Sequence, residues 1–139
     1  PQHEGRLLRR FFHPVSRFIE ENTGDAELQP FVLPLAKAFA RLQQATLWTA
    51  QESLQDRDEA GAAAGDYLRM FALVTLAYMW AQTAKVAVGK LAGEKGSFYR
   101  AKLATASFYM RRVLPQTSAL LAVITSGARP IMDVREEWF

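Results

Sequence analysis

Met70-Phe71-Ala72-Leu73-Val74-Thr75-Leu76-Ala77-Tyr78-Met79-Trp80-Ala81 is an almost wholly apolar run at the middle of the chain. It holds no Gly, no Pro and no charge. Across the chain Ala is abundant while Val and Ile are sparse, which favours helix over strand. Wound as a helix, the stretch is apolar on every side, and such a helix must be covered on several sides. A membrane span needs about 20 consecutive apolar residues. This run is bounded by Arg69 on one side and by Gln82 and Lys85 on the other. The expectation is therefore a core helix over residues 59–91, packed within its own bundle and against a partner surface, with no membrane span.

Outward from this helix the periodicity stays helical. Leu7, Leu8, Phe11, Phe12, Val15, Phe18 and Ile19 recur in steps of three and four, predicting a helix over 5–22 that kinks at Pro14 and stays in phase across it. Asn22-Thr23-Gly24-Asp25 reads as a stop and a turn. Leu28, Val32, Leu35, Phe39, Leu42, Thr46 and Thr49 form a heptad-like seam over 27–55, with Pro30 suited to the first turn and Pro34 distorting it. Gln55-Asp56-Arg57-Asp58 is a polar link. Gly93 and Gly96 mark a turn, after which Ser97 reads as the cap of a fourth helix over 97–126, kinked at Pro115 and closed by Gly127. Short links imply antiparallel neighbours. The predicted fold is all-α: an up-and-down antiparallel four-helix bundle with kinked helices and a short C-terminal tail, a single domain over residues 1–139.

The 139 residues contain no Cys and two His, His3 and His13. Thiol nucleophiles, disulfide frameworks and thiolate zinc sites are excluded, and a His-rich metal site nearly so. The lack of Cys fits a reducing, cytoplasmic setting. Net charge is +3, well short of a dedicated nucleic-acid binder. The sequence opens at Pro1 without an initiator Met, and the expectation is a fragment of a longer protein.

Arg6, Arg9, Arg10, His13 and Arg17 fall along one helix flank. Such a stripe suits phosphates or an acidic protein, and equally suits a solvated face opposite Leu7, Phe11 and Phe18. The carboxylate groups Glu20-Glu21, Asp56/Asp58/Glu59 and Glu136-Glu137 fall at helix ends or in links, where they compensate helix dipoles. The Glu-x-x-His pairs of a di-iron bundle, a Ser-His-acid set, a P-loop and a dinucleotide fingerprint are all missing. Lys85 and Lys102 lie in apolar helices and are expected to snorkel to solvent. No catalytic, cofactor-binding or metal-ligating residue is assigned, and the residues alone point to a helical interaction module.

Two stretches carry more than periodicity. Gly65-Asp66-Tyr67-Leu68-Arg69-Met70-Phe71, continued by Tyr78-Met79-Trp80 and Ala84-Lys85-Val86-Ala87, resembles a helix of the C-terminal extension domain of a subgroup of acyl-CoA dehydrogenases. Phe98-Tyr99-Arg100-Ala101-Lys102-Leu103-Ala104-Thr105-Ala106-Ser107-Phe108-Tyr109 is similar to the signature of that same domain, and Val113-Leu114-Pro115, Gly127-Ala128 and Ile131-Met132 follow in order. The likeness is strong over 59–132 and weak over the first two helices.

The resemblance implies a parent enzyme that uses FAD to oxidise acyl-CoA to the 2,3-enoyl-CoA. In that family a Glu carboxylate takes the α-proton and hydride passes to the flavin. Those parts would precede Pro1, so this fragment alone is expected to be inactive. Implied partners are the preceding domains of its own chain, a second copy in a homodimer, and acyl-CoA. The implied role is packing, closing the acyl pocket or supporting the dimer, with Phe71, Trp80, Phe98, Tyr99 and Phe108 as packing and interface residues. Cut from its enzyme, the domain is expected to fold and to dimerise through its third or fourth helix. The alternative is a stand-alone helical interaction module.

Overall fold

A computed structural model describes residues 4–139. His3 lies outside the described residues. Among those residues the chain is all-α, with no strand. Helices α1 (Glu4–Asn22), α2 (Gln29–Gln55), α3 (Arg57–Val88), α4 (Gly96–Phe108), α5 (Gln116–Ile124) and α6 (Arg129–Met132) follow in order. A five-residue π-helical segment, Tyr109–Val113, joins α4 towards α5, and a short 3-10 turn, Glu136–Trp138, lies near the C-terminus.

α2 and α3 form the central pair. Only Asp56 separates them, so they fold back on each other as a helical hairpin. The Asp56 carboxylate accepts the Asp58 N–H at 2.9 Å, capping α3. The heptad seam of α2 is the floor of the core: Val32, Leu35, Ala38, Phe39, Leu42 and Ala45 are buried. From α3 come Met70, Val74, Ala77, Ala81 and Ala84, and the Ala residues let neighbouring helices approach closely. Leu114, Leu120 and Ile124 close the core from the C-terminal half.

α1 runs unbroken through Pro14. Its apolar side is anchored by rings. Phe11 meets Phe71 at 4.7 Å, Phe12 sets its edge on Phe39 at 5.4 Å, and Phe18 sets its edge on Tyr78 at 5.5 Å. Each such pair contributes about 0.5–1.5 kcal/mol beyond simple burial. Leu7, expected on this side, instead lies exposed.

The structure departs from the expected helix over 97–126. It is two helices, with a widened turn between them. Pro115 has no N–H to offer and its ring crowds the carbonyl four residues earlier. The chain resolves this ahead of Pro115: the Leu114 N–H reaches back five residues to the Tyr109 carbonyl at 3.0 Å, a π turn. The extra residue brings Tyr109 and Met110 both inward. The Tyr109 hydroxyl then donates to the Leu73 carbonyl of α3 at 2.7 Å. The expected cap at Ser97 is also displaced. α4 opens at Gly96, where a Cβ would collide with the Leu91 carbonyl, and no side chain caps it. Gly127 ends α5 with φ +81, the left-handed position that favours Gly.

Candidate functional site

The described residues contain no cluster of three or more His, Cys, Asp or Glu able to hold a metal. What the fold does build is a surface in three adjoining hollows, set up by α1, α3 and α4.

The first lies on α1. Because α1 turns Phe11, Phe12, Val15 and Phe18 inward, Arg6, Arg9, Arg10, His13 and Arg17 must share the opposite side, and all five are exposed. A hollow of ≈ 470 Å³ is lined by Arg6, Arg9, Arg10, Phe12, His13 and Pro14. Arg17 pairs with Glu21 at 3.2 Å in an exposed contact that adds little stability. Among the side chains described, those of residues 5–139, no carboxylate lies within salt-bridge distance of Arg6, Arg9 or Arg10.

The second hollow, ≈ 350 Å³, lies where α1 crosses α3. It shares His13 and Pro14 with the first and adds Arg17, Phe18, Glu21, Tyr78 and Gln82. The Gln82 amide donates to the Tyr78 hydroxyl at 3.1 Å, which holds Gln82 along the edge of this hollow.

The third is a groove of ≈ 450 Å³ between α3 and α4, lined by Met79, Gln82, Thr83, Val86, Phe98, Tyr99 and Lys102. Gln82 joins it to the second. Lys102 stands over the Phe98 ring at 5.2 Å, and Lys90 over Tyr99 at 5.5 Å. These cations lie along aromatic faces rather than inside the core. Lys85 does the same over Phe18 at 5.8 Å. The same two helices carry further exposed apolar side chains. Leu68, Leu76, Met79 and Val86 on α3 and Phe98 and Phe108 on α4 are all about half exposed or more, between 47% and 70%. So many large apolar groups on two neighbouring helices mark a contact surface rather than scattered surface residues.

The expected interface residues divide on inspection. Phe98 and Phe108 are exposed, and Tyr99 sits edge-on to Phe98 at 5.3 Å beside the groove. Phe71 and Trp80 are half-buried and pack on the core, Phe71 between Phe11 and Tyr67. The sequence does not single out Met79, Gln82, Thr83 and Val86 as interface residues. Their signal was their common side of α3, hidden because the residues on the other sides are equally apolar.

A separate cleft of ≈ 570 Å³ lies between α1 and the adjoining ends of α2 and α3, among Leu8, Thr46, Thr49, Ala50, Ser53, Leu54, Ala60 and Tyr67. Its Thr49 hydroxyl is buried without a hydrogen-bond partner, while Tyr67 and Thr46 share a hydrogen bond at 2.7 Å. Burial pushes the Tyr67 phenol up, with the Thr46 contact partly opposing it. Burial also pushes Tyr109 up, to about 12. Burial thus favours the neutral form of both phenols, and the Tyr109 hydroxyl donates to the Leu73 carbonyl.

The groove does not fit a flavin dinucleotide. Its lining is mainly Met, Val and aromatic, with Gln82 and Thr83 as polar groups and one Lys.

Comparison with known proteins bears on the family of the chain. The family described as acetyl-CoA dehydrogenase C-terminal like matches residues 11–135. The chain is also 26% identical over 146 residues to the broad-specificity linear acyl-CoA dehydrogenase FadE5 of Mycobacterium tuberculosis, covering 98% of this chain and 24% of that protein. The chain therefore spans about a quarter of the length of the curated relative it matches. With nearly all of its helices inside the matched span, the chain belongs to the acetyl-CoA dehydrogenase C-terminal-like family.

Proposed function

We propose that these residues are the C-terminal helical domain of an FAD-dependent acyl-CoA dehydrogenase, seated on the body of that enzyme through the α3/α4 face. The observation that carries this is the exposure of Met79, Val86 and Phe98 along one groove, with Phe108 exposed on the same helix as Phe98. Full burial of such a side chain is worth roughly 1.5–3 kcal/mol, so covering the half still exposed contributes about 1 kcal/mol each. Four or more together make a stable seat.

In this reading the flavin and the proton-abstracting carboxylate belong to the body, and this domain supplies packing that holds the acyl pocket closed or the subunits of a homodimer together. FAD supplies the hydride acceptor when bound there, and the residues described here shape its surroundings from outside. A cytoplasmic location accords with the lack of Cys.

The experiment uses the whole polypeptide that carries this sequence. It should purify with flavin absorbance that acyl-CoA bleaches. Met79→Asp with Phe98→Asp should lower flavin retention and acyl-CoA turnover while helical content stays unchanged. A polypeptide with no flavin and no acyl-CoA-dependent bleaching would refute the assignment. The stand-alone interaction module would then be the better account.

A further inference from the structure

We infer that the α1 stripe and the α3/α4 groove are one docking surface, occupied by an amphipathic segment of the same polypeptide lying outside residues 1–139. The segment sets carboxylates against Arg6, Arg9 and Arg10 and apolar side chains into the groove. This rests on the domain reading above and specifies what the body of the enzyme must present.

Continuity is the first argument. The first and second hollows share His13 and Pro14, and the second and third share Gln82, so the surface runs without a break from the Arg cluster to Phe98. Charge is the second. Arg6, Arg9 and Arg10 have no carboxylate within salt-bridge distance among the side chains of residues 5–139, and the charged group lining the groove is Lys102. Among the described residues lining the three hollows, Glu21 is the one acid, and Arg17 engages it. A face so nearly of one sign selects an acidic occupant and repels another like itself. A second copy of this chain would bring the same cationic face and the same +3 net charge. An anionic lipid surface is also a poorer match. A helix that binds membranes inserts its apolar side, and the apolar side of α1 is already spent on Phe39, Phe71 and Tyr78. Supply is the third. The relative is some four times the length of the matched region, so polypeptide of the same chain is at hand to fill the surface.

The test is chemical footprinting of the whole polypeptide by mass spectrometry. Phenylglyoxal reports arginine exposure, and hydroxyl-radical oxidation reports Met79. In dilute salt, Arg6, Arg9 and Arg10 should react several-fold more slowly than the exposed Arg111, and Met79 should resist oxidation. Raising salt shortens the screening length from about 30 Å at 0.01 M to about 3 Å at 1 M, so the arginines should regain most of their reactivity. Arg6→Glu, Arg9→Glu and Arg10→Glu together should expose Met79 several-fold, whereas the three Lys replacements should not.

Full arginine reactivity with Met79 still protected would overturn this inference and leave the domain reading standing. Full reactivity at all four residues would overturn both. Protection that appears only as protein concentration rises would show a second copy in the site, and protection only on adding phosphatidylserine vesicles would show lipid. Either of these also overturns it.

Discussion

Gly127→Ala is the sharpest stability prediction, because one backbone position joins both ends of the bundle. Gly127 has φ +81, and a Cβ there would lie 3.3 Å from Oε2 and 3.4 Å from Oε1 of Glu59. The same Oε2 accepts the Ala128 N–H at 2.9 Å. Glu59 sits in the first turn of α3, where the helix dipole favours a carboxylate. One anion thus tethers the start of α3 to the end of α5. An L side chain in the left-handed region costs roughly 1–2 kcal/mol. A stiffer unfolded chain returns about 0.4–1 kcal/mol of that. Displacing Glu59 weakens a charged hydrogen bond worth about 1.5–3 kcal/mol when intact. The net cost should be about 2–4 kcal/mol. In a Glu59→Ala background the crowding and the hydrogen bond are both gone, and Gly127→Ala should cost only about 1 kcal/mol. Urea unfolding of the four proteins, followed by far-UV ellipticity, gives the coupling directly. We expect about 1–3 kcal/mol of non-additivity; changes additive to within about 0.5 kcal/mol would refute the tether.

Three further expectations follow from the core and its caps. Met70 is fully buried, so Met70→Ala should cost about 2–5 kcal/mol in the same urea assay. Asp56→Ala removes the cap of α3 and should cost about 1 kcal/mol, with Asp56→Asn recovering most of it. Tyr109 is raised from 10.0 in its ordinary state to about 12 in the fold, so folding favours the neutral phenol. Its contribution is whole below the ordinary value and is lost as pH climbs through the folded one. Melting temperature should therefore fall more steeply above pH 10 in the parent than in Tyr109→Phe, and parallel curves would contradict the burial argument.

Where spacing decides structure, the helices were legible in the residues. The α2 seam predicts burial of Val32, Leu35, Phe39 and Leu42 correctly because a half-covered helix separates apolar from polar sides. α1 is read through Pro14 for the same reason. The break between α4 and α5 is different. Pro115 announces a disturbance, but its form depends on the Tyr109 hydroxyl finding the Leu73 carbonyl, a contact made 36 positions away. Local pattern carries no trace of that. The docking groove was half legible. Phe98 and Phe108 stand out in their own segment, but Met79 and Val86 lie in a helix that is apolar throughout. Only the positions of α2, α4 and α5 decide which side of α3 is left uncovered. Length and composition alone would also let α3 cross a membrane; in the fold, Met70, Val74, Ala77 and Ala81 face its neighbours.

The most direct measurement is an experimental structure of the whole polypeptide that carries this sequence. The account predicts that Met79, Val86, Phe98 and Phe108 lie within contact distance, about 4.5 Å, of residues outside 1–139. A structure in which the α3/α4 groove stands open to solvent, with the rest of the polypeptide attached elsewhere, would contradict it.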